Sequence, residues 1–185
     1  GMDPNAWFYR LAGWLLSQAY PKLPLELGGL SEPIDGEGAA NAFAAYFGQH
    51  HVPPDVMGQL GPALGLTGKD NQENSGPVFD LIRTRISQQS EPFAWADLHR
   101  YLAHEIGLTG PLATMFLLVY LHRHRPHFAI ELQPSHRVAL LDGRPLLIGQ
   151  ITPDLIPALR WDQRVSQWAG RIVPMKETGE ETSWN

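Results

Sequence analysis

The sequence predicts a mainly helical α+β protein, and three observations carry that prediction. Apolar residues recur at helical spacing over residues 7–18, 78–86 and 95–106. A period of two takes over at Phe128, Ile130 and Leu132, with Ala129, Glu131 and Gln133 between them, the mark of a half-buried strand. Asp142-Gly143 then separates HRVALL from RPLLIG, a signal for a two-residue β-hairpin turn. With 185 residues, 43% hydrophobic and 18% charged, the chain is long enough to bury a sizeable core.

Each element has a local cause. Asp3-Pro4 joins an N-cap oxygen to a proline whose missing N–H costs nothing at a helix start. Trp7, Leu11, Trp14, Leu15 and Gln18 follow on one face until Pro21 ends the helix. Residues 21–37 read as an extended connection, 38–47 as an alanine-rich helix closed by Gly48, and 54–64 as a short helix. GLTGKDNQENSG, residues 65–76, is polar and flanked by glycine, hence a mobile loop. Gly76-Pro77 starts the next helix, with Phe79, Ile82 and Ile86 inward.

A break at SEPF, residues 90–93, divides a helical lobe over 2–90 from a second unit over 91–173. There, Trp95, Leu98, Leu102 and Ile106 form a helix face that Gly107 closes. Thr109-Gly110-Pro111 opens the following helix, PLATMFLLVYLHRHR, after the connection length of a helix-turn-helix. Beyond the hairpin, Thr152-Pro153-Asp154 starts a short helix that Pro157 is expected to cut or tighten. A final helix over 162–172, aligning Val165, Trp168, Ala169 and Ile172, is expected to pack back on both units. Residues 174–185 read as a disordered tail. Gly1 before Met2 reads as the remnant of a tag, and a start so close to a tryptophan-rich helix suits a domain cut from a longer polypeptide.

Composition narrows the function classes. The absence of cysteine excludes a disulfide framework, thiolate zinc ligation and a cysteine nucleophile. The apolar run over 6–20 is broken by Arg10 and Gln18 and falls short of the roughly 20 residues that span a bilayer. It also lacks the basic leader of a signal peptide, so a cytoplasmic location is expected. Net charge is −5 but uneven: −6 over residues 1–97, +4 over 98–176 and −3 over 177–185. The overall sign argues against a protein that coats nucleic acid, while the basic second half keeps a local contact open.

Catalytic and ligand motifs are missing. GPALGLTGKD has Gly68-Lys69, but Ala63 and Asp70 stand where a phosphate loop needs glycine and a hydroxyl. His104-Glu105 opens like a zinc-binding H-E-x-x-H, yet Leu108 occupies the second histidine position and Gly107 interrupts the helix. His122 and His124, two apart on a helix, point away from each other. No nucleophile elbow is present, and Asp80, Asp97 and Glu131 fall where side chains face water. No cofactor or metal is expected.

Helix, helix, tight turn, helix, then hairpin is the element order over residues 77–150, and in this order the chain resembles winged-helix domains. The resemblance implies that residues 111–116 would lead a recognition helix. Only Thr114 among them is polar, so base reading by this helix is not expected. The stretches GLTG…SGPVFDLI and DGRPLLIGQITPDLI also look like accessory helical segments of large bacterial ATP-dependent proteins. HRHRPH, residues 122–127, lies at a helix C-terminus, where cations suit the negative end of the dipole. Arg123, Arg125, Arg137 and Arg144 are candidates for a basic patch that meets phosphates or an acidic protein. Trp7 and Trp14, and Trp161 and Trp168, repeat at an interval of seven, as core stripes or as partner-docking aromatics. The expected function is a non-catalytic protein-interaction or regulatory module, with a protein partner or neighbouring domain. The alternatives are a nucleic-acid-binding module using the basic hairpin region, or an enzyme whose site has no local motif.

Overall fold

The computed structural model describes residues 4–23, 34–49, 61, 64, 66, 76–89, 91–125, 127–134, 136, 138–143, 145–146, 149–162 and 164–175. Among these, helices and one small antiparallel sheet make the mainly α, α+β architecture that the residue pattern predicts. The helices are α1 (Pro4–Ala19), α2 (Gly36–Tyr46), α3 (Pro77–Ser87), α4 (Trp95–Arg100), α5 (Gly110–His124) and the single turn α6 (Val165–Trp168). The strands are β1 (Phe93–Ala94), β2 (Phe128–Leu132), β3 (Val138–Ala139), β4 (Pro145–Leu146), β5 (Gln150–Ile151) and β6 (Ala169–Pro174). The expected helix over 54–64 and loop over 65–76 lie mostly outside the described residues, of which Gly61, Leu64 and Leu66 are buried.

The core is organised around α5. All ten residues from Leu112 to Leu121 are buried, because this helix is apolar on every side and packs against α2, α3, α4 and the 3-10 segment Pro153–Ala158. Phe79 from α3 meets Phe116 edge-on at 5.6 Å, and Phe43 from α2 meets Trp161 at 5.2 Å. One continuous hydrophobic cluster joins Ile34 and the α2 residues to Ile172.

Helix ends follow their local chemistry. Asp35 caps α2 by accepting hydrogen bonds from the Glu37 and Gly38 N–H groups, both at 2.9 Å. The helix begun by α4 widens into a π-helical segment, Tyr101–Ile106, and the Leu102 carbonyl accepts from both Gly107 N–H (3.1 Å) and Leu108 N–H (3.0 Å). Gly107 takes φ 95°, a left-handed turn, and Thr109 in extended geometry admits Pro111 in the first turn of α5.

The sheet order is β1-β6-β2-β5, antiparallel throughout. Its central strand β6 corrects the expectation of a helix over 162–172: helix survives only over Val165–Trp168. Gly170 weakens a helix interior and β-branched Ile172 and Val173 favour extended backbone. Pairing Ile172 with both Ile130 and Phe93 supplies the rest of the preference for strand. The strand runs through Pro174, inside what reads as the start of a tail, and residues 176–185 lie outside the described residues.

The hairpin exists, but its turn is longer than two residues. β3 pairs with β4 as a separate two-stranded ribbon, with Val138 opposite Leu146 and Ala139 opposite Pro145, and Gly143 at φ 80°. Leu140 is drawn away into a bridge with Leu159, flanked by Leu141 N–H to Ala158 O (2.9 Å) and Arg160 N–H to Ala139 O (2.9 Å). Backbone groups satisfied by residues 158–160 cannot also extend the hairpin. β2 pairs instead with β6 and β5, which makes it interior and buries Ala129 as well as Phe128 and Ile130.

Candidate interaction surface

The apolar stripe of α1 is the largest hydrophobic exposure among the described residues. Trp7 (57% exposed), Phe8 (63%), Leu11 (37%), Trp14 (59%) and Leu15 (53%) all face solvent, although Phe8 and Trp14 also make contacts within the chain. Sequence spacing picked out Trp7, Leu11, Trp14 and Leu15 but missed Phe8, which completes the stripe. At about 100° per residue these five positions fall within an arc of about 120°. Arg10 is the one charged residue in α1.

The helix is tied to the body at its C-terminal end. The ring of Tyr20, directly after α1, lies against Gly107, so close that a Cβ there would sit 2.7 Å from Tyr20 Cβ and Cδ1. Gly107 thus serves both the left-handed turn and this approach. Leu23 adds packing against the core. The turn between α4 and α5 is fixed further by His99, whose Nε2–H donates to the Gly110 carbonyl at 3.1 Å. Burial holds His99 below the ordinary imidazole range; the hydrogen bond opposes that shift and His104 adds to it.

The other tryptophan pair lies elsewhere. Trp168 is buried in the core, and half-buried Trp161 packs on Phe43. Trp161 lies before α6 and outside any helix, so the interval of seven does not put this pair on one helix face.

The histidine-arginine knot at the end of α5 is taken up by the fold. His122 Nδ1–H donates to the Pro153 carbonyl at 2.9 Å, and its ring meets Phe47 edge-on. Arg123 lies over the Tyr46 ring at 5.4 Å and Arg125 over the Phe128 ring at 5.0 Å. His124 stacks on Tyr120 and touches Phe79; burial, with Arg83 and Arg123 nearby, pushes its pKa down. Arg137 and Arg144, the other two candidates for a basic patch, lie outside the described residues.

Asp80, Asp97 and Glu131 each pair with an arginine. Arg83 meets Asp80 at 3.0 Å, Arg100 meets Asp97 at 3.5 Å, and Arg171 meets Glu131 across two strands at 2.9 Å. Burial raises Asp162, but the Arg164 side chain and backbone N–H bonds outweigh it and hold the carboxyl below its usual value. Among the described residues, no three histidines or carboxylates gather in a metal-binding group, and no helix is long and apolar enough to cross a membrane.

No protein-family model, curated protein or solved structure matches the chain.

Proposed function

We propose that this chain is a non-catalytic protein-interaction or regulatory module, working in the cytoplasm as part of a larger assembly. The observation that carries the reading is the α1 stripe, five large apolar side chains presented to solvent on a helix fastened at one end by Tyr20 and Gly107. Contiguous apolar exposure of this kind is costly in water and marks a surface that another surface covers. Residues 91–173, preceded by α3, act in this reading as a winged-helix-like body. Support for that assignment comes from the order α3, β1, α4, turn, α5, β2 and from β6 lying between β1 and β2.

The buried α5 favours a protein partner over a nucleic acid. A helix whose residues 112–121 are all buried has no face with which to enter a DNA groove. The remaining route to nucleic acid runs through phosphate contacts by Arg123, Arg125, Arg137 and Arg144, and these would weaken steeply with salt. Fluorescence anisotropy against random-sequence duplex and single-stranded DNA at two salt concentrations tests the choice. The module reading predicts no salt-sensitive binding. Binding that falls steeply with salt and disappears in the Arg123→Ala/Arg144→Ala variant would replace it with the nucleic-acid reading.

A further inference from the structure

We propose that the partner of the α1 stripe is the α1 stripe of a second copy, in an antiparallel pair whose two-fold axis passes at Leu11. The proposal rests on the interaction-module reading and names its occupant.

Self-complementarity is the argument. Among the described residues of α1, the exposed large apolar side chains stand at −4, −3, 0, +3 and +4 relative to Leu11, a set unchanged by reversing the chain direction. Leu11 is also central around the helix, with Trp7 and Trp14 to one side and Phe8 and Leu15 to the other. A two-fold axis perpendicular to the helix therefore lays the whole stripe on its own copy. Leu11 meets Leu11, Trp7 lies across from Trp14, and Phe8 lies across from Leu15. An interface in which one patch serves both subunits is the commonest form of closed assembly.

Charge and area point the same way. α1 holds no acid and one base, Arg10, which lies outside the stripe at its tryptophan edge. A charged partner would find no complement along this face. A membrane surface would find too few cations for electrostatic attraction. The five side chains, between 37% and 63% exposed, offer a few hundred Å² per copy. Two copies would bury on the order of 1,000 Å², the weak end of specific association, with a dissociation constant of about 1–100 µM.

The absence of cysteine makes the geometry directly testable. Single Leu11→Cys and Trp7→Cys variants are treated with diamide as oxidant at high protein concentration, with sedimentation velocity run in parallel on the unmodified chain. In the antiparallel pair two copies of residue 11 meet, whereas two copies of residue 7 stand about 12 Å apart along the axis, beyond disulfide reach. The expected result is a covalent dimer for Leu11→Cys at least tenfold faster than for Trp7→Cys. The sedimentation coefficient of the unmodified chain should rise between about 5 and 200 µM, and Leu11→Glu should abolish the rise. A monomer across that range, or cross-linking at residue 7 as fast as at residue 11, overturns the two-fold pair. Neither result decides whether α1 serves another protein; the interaction reading itself falls to the salt-sensitive DNA binding described above, so the two failures are distinguishable.

Discussion

Replacing Gly107 by alanine tests the joint that fastens α1 to the body. Two costs are separable. A side chain at φ 95° costs about 1–2 kcal/mol in backbone strain. The new Cβ also overlaps half-buried Tyr20, whose ring Cγ lies nearest and whose Cβ and Cδ1 it would approach to 2.7 Å, so the ring is expelled. Losing that packing costs about 1–2 kcal/mol more. Gly107→Ala should therefore destabilise the protein by about 2–4 kcal/mol in urea unfolding. In a Tyr20→Gly background, which removes the Cβ as well as the ring, only the backbone part remains, so the double-mutant cycle should show a coupling of about 1–2 kcal/mol. Limited proteolysis gives a second readout, because Gly107→Ala and Tyr20→Ala should both expose residues 4–23 to faster cleavage. An equal cost of Gly107→Ala in both backgrounds would refute the contact between Tyr20 and the turn.

Three further outcomes concern the core, the sheet surface and the buried histidines. Phe116→Ala, which removes a fully buried ring packed on Phe79, should cost about 3–5 kcal/mol in urea unfolding. Glu131→Ala should cost only about 0.2–1 kcal/mol, because its cross-strand ion pair with Arg171 is more than a third exposed, and the loss should shrink in high salt. Burial depresses His99 and His124 in the folded state, so the unfolded chain binds more protons below the ordinary imidazole value of 6.5. Thermal stability should be full above that value and fall as pH drops through it towards the folded-state pKa values. A His99→Gln/His124→Gln variant should show a flatter acid limb between pH 7 and 5.

What the residues revealed depended on how local the cause was. α5 was legible because an all-round apolar helix has one stable place, and Gly107 with Thr109-Gly110-Pro111 marked the turn before it. β6 was not legible. Val165, Trp168, Ala169 and Ile172 fit a helical period, and the preference for strand comes largely from residues 93–94 and 128–132, far away in sequence. β1 is two residues long and shows no period at all. The π-helical segment after α4 leaves no sequence signal either. For the candidate surface, spacing found the Trp7 and Trp14 stripe, but only the fold distinguishes it from buried Trp168. The Tyr20 approach to Gly107 joins residues 87 positions apart, which no local pattern reports.

The most direct measurement of the central claim is amide hydrogen exchange by mass spectrometry at low and high protein concentration. A 16-residue helix with a solvent-facing apolar stripe is marginal in water, so α1 should exchange much faster than α5 in dilute solution. Protection should rise with concentration in Pro4–Ala19 alone, and Leu11→Glu should remove the rise. Unchanged exchange in α1 at every concentration, or a rise confined to another surface, would contradict it.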